Sequence, residues 1–223
     1  NNNRTASYDA THGGAIYSSG GNININGGTI RNNSTSYKKH LGGAIYLENG
    51  TFTMTAGSFE NNSTYENGGA LYLESCETNI TGGNFTGNST TTGTTSCYGG
   101  AIYIITSGTA NISNCTFASN TAYQRGGAIY TGNSTNVEIT SCVFDKNTCT
   151  NDTGKGGAIY VINTGGSVSV NGSTFKDNTS PVIFNELLET GVLDDSEIIA
   201  NDSGWDPSST LGGGGVYRTN EIK

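Results

Sequence analysis

Gly42-Gly43-Ala44-Ile45-Tyr46-Leu47-Glu48-Asn49-Gly50-Thr51-Phe52-Thr53-Met54-Thr55-Ala56-Gly57-Ser58-Phe59-Glu60-Asn61-Asn62 is the stretch that decides the fold. It opens on Gly-Gly-Ala-Ile-Tyr and closes on Phe-x-x-Asn, and both blocks recur along the chain. The first stands at Gly13–Tyr17, Gly42–Tyr46, Gly99–Tyr103, Gly126–Tyr130 and Gly156–Tyr160, with a Leu variant at Gly68–Tyr72 and an echo at Gly213–Tyr217. The second stands at Phe59/Asn62, Phe85/Asn88, Phe117/Asn120, Phe144/Asn147 and Phe175/Asn178, with Ile versions at Ile30/Asn33 and Ile198/Asn201. A fixed repeat of ~20–50 residues means a solenoid or a propeller, each unit burying its apolar face against its neighbours.

The spacing separates a rigid part from a variable one. Taking the block's last aromatic to the Phe or Ile of the second block, the distances are 13, 13, 13, 14, 14, 15 and 14 residues. From the Asn to the next block they are 9, 6, 11, 6, 9, 2 and 12. The sixth interval uses Ser180–Phe184 as a degenerate block filling a double-sized gap. The whole of 1–223 thus reads as one repeat domain, with turns starting near 13, 42, 68, 99, 126, 156, 180 and 213. Variable insertions of this kind map to loops on one side of a stack, so all of them should leave from one edge. The divergent stretch 185–197 reads as an inserted loop.

Within the rigid part, period-2 alternation marks three short strands. Ile16, Ile45, Leu71, Ile102, Ile129 and Ile159 point inward from the first. Ile23/Ile25, Phe52/Met54, Ala110/Ile112, Val137/Ile139 and Val168/Val170 do so from the second. The third sets a small residue (Gly28, Gly57, Gly83, Cys115, Cys142, Ser173) two places before the Phe. These features predict an all-β, parallel β-helix with three sheets, of about seven turns and roughly 35 Å at ~4.8 Å per turn. Gly-Gly suits a corner needing positive φ or close backbone approach. The Asn suits another corner, because it tolerates the left-handed region. Asn33, Asn62, Asn88, Asn120, Asn147, Asn178 and Asn201 should form a structural ladder up the turns.

Composition narrows the function classes. Hydrophobic residues make up only 33% of the 223, with 34 Gly; their fixed register separates the chain from a disordered polar one. The net charge of −8, with 10 basic residues and Lys38-Lys39 the sole adjacent pair, argues against nucleic acid. No apolar run reaches the ~20 residues that span a bilayer. Five Cys cannot all pair within one chain, and with only His12 and His40 beside them no zinc spacing exists. Cys115 and Cys142 align one turn apart as stacked small hydrophobes, close enough for a bridge. Cys97 and Cys149 lie in variable loops two turns apart. No cofactor is implied.

The ordered alternation of Gly-Gly-Ala-Ile/Leu and Phe-x-x-Asn, from about Gly13 to Tyr217, resembles the bacterial polymorphic outer membrane protein repeat. It is also similar to the right-handed β-helix repeats of large adhesin-like surface proteins. The resemblance implies a right-handed parallel β-helix and a non-catalytic, extracellular, adhesin-like module of a larger surface protein, at the cell surface or secreted, that binds a host or matrix protein or a glycan. The alternative is a polysaccharide-active β-helix enzyme, a lyase or glycoside hydrolase. For a ligand, the candidate is an exposed aromatic ladder of Tyr17, Tyr46, Tyr72, Tyr103, Tyr130 and Tyr160; stacking that merely supports the strands is its structural counterpart. For catalysis, the stacked pair Glu48 and Glu74 is the best dyad, but no basic residue recurs beside it. Asp202–Asp206 reads as a polar turn. The Asn-x-Ser/Thr sequons follow from composition. A Thr array for ice binding does not persist beyond Thr53 and Thr55. The segment begins and ends in mid-repeat, so continuing repeats of a larger chain are expected on both sides.

Overall fold

A computed structural model describes residues 4–5, 12–36, 38–91, 97–105, 108–132, 135–161, 168–180, 191–194 and 197–199. Every pairing between its strands is parallel, and each strand meets the equivalent strand one repeat later. The fold is a parallel β-solenoid. Six first-row strands, starting at Ile16, Ile45, Leu71, Ile102, Ile129 and Ile159, give about five full turns. The seventh expected turn, starting near 180, falls mostly outside the described residues.

The second row comprises Glu77–Ile80, Gly108–Ser113, Thr135–Thr140 and Val168–Asn171; the third comprises Gly83–Thr86, Cys115–Ala118, Val143–Asp145 and Thr174–Lys176. In the first two turns the three rows merge into the 16-residue strands Ile16–Arg31 and Ile45–Glu60. Gly191–Asp194 and Glu197–Ile199 continue rows two and three, pairing with Val168–Asn171 and Thr174–Lys176. Part of the stretch expected as an inserted loop therefore runs as strand.

A fourth row, absent from the three-sheet expectation, follows each Asn. It consists of two-residue strands at Arg4–Thr5, Ser34–Thr35, Ser63–Thr64, Ser89–Thr90, Thr121–Ala122 and Thr148–Cys149. Two residues are too few to show period-2 alternation, which is why the pattern missed it. The variable stretches leave between this row and the next Gly-Gly.

The core is a set of columns. Phe59, Phe85, Phe117, Phe144 and Phe175 are fully buried, with successive ring centroids 5.3, 4.9, 4.9 and 4.8 Å apart and planes within 8° of parallel. Beside them run the Ile/Leu column of row one and the apolar pairs of row two. Parallel strands one turn apart bring identical residues together at the strand spacing, and an offset ring stack fits that spacing.

The two glycines of each block do different work. The first sits in the left-handed region, from φ 63 at Gly126 to φ 72 at Gly68. The second lies against the next turn: a Cβ at Gly43 would collide with the carbonyl oxygen of Gly69, and one at Gly100 with that of Gly127. One glycine serves the corner and the other serves the stacking.

Candidate functional site

The asparagine ladder is built from side chains buried in the wall of the solenoid. Asn120 shows the pattern. Its Oδ1 accepts from the backbone N and Nδ2 of Asn88, both at 3.0 Å. Its Nδ2 donates to the carbonyl of Phe85 at 2.9 Å and to Asn147 Oδ1 at 3.0 Å. All four hydrogen-bonding positions of the amide are filled. The same links join Asn33 to Asn62, Asn62 to Asn88, and Asn147 to Asn178. Asn201 lies outside the described residues. The expected left-handed conformation is corrected: it belongs to the preceding residue, at Asn32, Asn61, Ser119, Lys146 and Asp177, with φ between 51 and 55. That residue turns the corner, and the Asn is left free to bond along the stack.

The ladder also explains the sequons at Asn33, Asn62 and Asn88. Asn62 and Asn88 have no exposed surface and both amide hydrogens engaged, so a glycan has no access to them in the folded chain. The Thr two places later belongs to the fourth row, where Thr35 Oγ1 donates to Thr64 Oγ1 at 2.8 Å. Asn-Ser-Thr recurs because it builds the wall, a reason that composition alone did not supply.

The tyrosine ladder lies on the opposite side of row one from the Ile/Leu column, but the expectation of an exposed stripe is corrected. Tyr46, Tyr72, Tyr103, Tyr130 and Tyr160 are 4–7% exposed, and only Tyr17, at 54%, is open. Successive ring centroids are 4.7–5.5 Å apart. A second column, the residue before each Gly-Gly, covers them: His12 stacks on Tyr46 at 4.5 Å, Tyr98 on Tyr130 at 4.9 Å, and Leu41 packs alongside. The Arg125 guanidinium lies 5.3 Å from the Tyr98 ring centre and 4.9 Å from that of Tyr160. Period-2 alternation identified which way these rings point. The irregular residue that folds over them carries no period and was not legible.

Glu48 and Glu74 pair in register on adjacent turns. The Tyr46 hydroxyl lies 3.1 Å from Glu48 Oε2 and 3.3 Å from Glu74 Oε2, and the Tyr17 hydroxyl 3.3 Å from Glu48 Oε1. A hydrogen bond from Ser19, reinforced by those from Tyr46 and Tyr17, holds the Glu48 carboxyl below the ordinary glutamate value. Burial pushes the phenols of Tyr46, Tyr72 and Tyr103 well above 10. Burial likewise lowers His12, helped by His40. The carboxylates act here as acceptors for the end of the tyrosine column, and an ionised, hydrogen-bonded Glu48 is the opposite of a raised general acid.

All five cysteines are buried thiols, and none is in a disulfide. Cys115 and Cys142 share a hydrogen bond that, with burial, raises the Cys115 thiol. Cys97 donates to the Tyr65 carbonyl at 3.5 Å and Cys149 to the Lys155 carbonyl at 3.2 Å. Burial pushes Cys149 up to about 12. Among the described residues no three His, Cys, Asp or Glu side chains group as metal ligands. Asp202–Asp206 lies outside them.

A family model, the Chlamydia polymorphic membrane protein (Chlamydia_PMP) repeat, matches at residues 57–74, 114–132 and 141–162. Each match runs from the third row through Phe-x-x-Asn and the fourth row to the end of the next Gly-Gly block. No curated protein and no solved structure matches the chain.

Proposed function

We propose that this chain, which carries the Chlamydia polymorphic membrane protein repeat at three places, is a non-catalytic, adhesin-like module of a surface protein. Its ligand would be a host or matrix protein or a glycan. The three repeat matches carry this reading. The structure adds a physical reason: the recurring Phe, Asn, Gly and Tyr positions are absorbed in holding the turns together. Binding then falls to the polar outward side chains and the loops between repeats, as on other solenoids whose surfaces vary over a constant frame.

The test is attachment of epithelial cells, and of immobilised matrix proteins and glycans, to beads coated with the chain. We expect saturable attachment above that of beads coated with an unrelated solenoid. Attachment no better than that control overturns the reading. The competing reading, a polysaccharide-active enzyme, rests on Glu48 and Glu74. Reducing-sugar and unsaturated-uronate assays should show no turnover by the wild type. Turnover that disappears in Glu74→Gln would replace the adhesive reading with a catalytic one.

A further inference from the structure

A groove of about 630 Å³ opens where row one turns into row two, lined by residues from four successive turns. Asn49 and Ser75 stand at the corner, and Thr51, Glu77, Thr109 and Asn136 on the outer face of row two. Register places Thr51 beside Glu77 and Thr109 beside Asn136. Between these two lines the floor is Gly50, Cys76 and Gly108, low because the glycines raise no side chain and Cys76 is buried, with backbone of the preceding turn packed alongside. A Cβ at Gly50 would meet the carbonyl oxygen of Gly21, and one at Gly108 that of Cys76. The trough therefore runs along the solenoid axis rather than along a strand. Four turns span about 14 Å at the strand spacing.

We propose that this groove is a carbohydrate subsite that holds a neutral, linear oligosaccharide along the solenoid axis. The proposal rests on the adhesive reading and names its ligand class. The groove walls offer amide, hydroxyl and carboxylate groups, which match the alternating donors and acceptors of a sugar chain. Among the described residues they carry no aromatic ring and no apolar side chain large enough to anchor a peptide. No basic group among the described residues lines the groove, and the chain is net −8, so a sulfated or uronate-rich polymer meets repulsion without compensation. Each of the four turns sets a polar side chain at the same register position (Thr51, Glu77, Thr109, Asn136), which suits a polymer laid along the axis. Affinity per sugar is weak in such a wet, open site, and several contacts in series supply retention.

The full chain should be tested on an array of neutral linear hexasaccharides (N-acetylglucosamine, glucose, mannose and galactose series) with heparin hexasaccharide as the anionic comparison. Thr109→Trp, at an exposed position, fills the trough; Glu77→Ala removes a wall contact without adding bulk. Far-UV circular dichroism and thermal melting report whether each variant keeps the fold. The expected result is retention of at least one neutral series over heparin, lowered at least tenfold by Thr109→Trp and several-fold by Glu77→Ala. Absence of neutral-glycan retention, preference for heparin, or variants that bind like wild type overturn the groove assignment. Cell attachment measured in parallel separates the two readings. If attachment persists in wild type and in Thr109→Trp alike, only the groove assignment falls. If the wild type does not attach, the adhesive reading falls with it.

Discussion

At the scale of single residues, polar groups in the solenoid wall are either fully satisfied or placed at a cost. Asn120 bonds to Asn88, Asn147 and Phe85 at once, so its removal strands several buried partners. Each unsatisfied buried group costs roughly 1–3 kcal/mol. Asn120→Ala should therefore lose about 3–5 kcal/mol in urea denaturation, while Asn79→Ala, on the exposed face, should stay within about 0.5 kcal/mol. Thr131 is the converse. It stands in the inward column between Ile104 and Val161, buried, and its Oγ1 finds no hydrogen-bond partner. Thr131→Val keeps the shape and removes the orphaned hydroxyl, so a gain of about 1 kcal/mol is expected from the same measurement.

At the scale of the elements, stability resides in columns that run across strands. Phe117 lies between Phe85 and Phe144, with ring centres 4.9 Å away on either side. Its truncation opens a cavity that neighbouring turns cannot close, because their glycines already hold them in contact. Phe117→Ala should cost about 3–5 kcal/mol. The tyrosine column adds a pH dependence. Tyr46, Tyr72 and Tyr103 are held neutral by burial, whereas the same residues in the unfolded chain ionise near pH 10. Above that pH the folded state binds more protons than the unfolded one, so stability falls as pH rises. Cys76 and Cys149, through burial, and Cys115, through its hydrogen bond with Cys142 and burial, are raised in the same sense. Urea midpoints should therefore start to decline near pH ~9 and fall more steeply above about pH 10, with tyrosinate absorbance appearing together with unfolding. Normal titration of all the tyrosines in the folded chain would contradict their burial.

At the scale of the whole molecule, the cross-section is thin and every side chain that points inward reaches the same narrow core. Cys76, Cys115 and Cys142 join that core, while Cys97 and Cys149 are buried apart from it, against the Tyr65 and Lys155 carbonyls. An aromatic disulfide reagent should find no reactive thiol in the native chain and five in denaturant. Rapid labelling of Cys97 or Cys149 without denaturant would show that the loop edge opens on its own.

Gly-Gly, Phe-x-x-Asn and the constant interval between them were sufficient to specify parallel turns, an inward Phe column and a continuous Asn ladder. Those properties depend on periodicity, which a sequence displays directly. Which face of row one is open was not legible, because that depends on residues such as Leu41, Tyr98 and Arg125 in stretches of irregular length. Nor did the sequence separate the Asn that bonds from the adjacent residue that turns, since Asn itself tolerates the left-handed region that its neighbour, even Lys146, adopts. Tertiary stacking decided both: it set a partner one turn away for each amide, and it brought the residue before each Gly-Gly across the rings that alternation alone had left exposed.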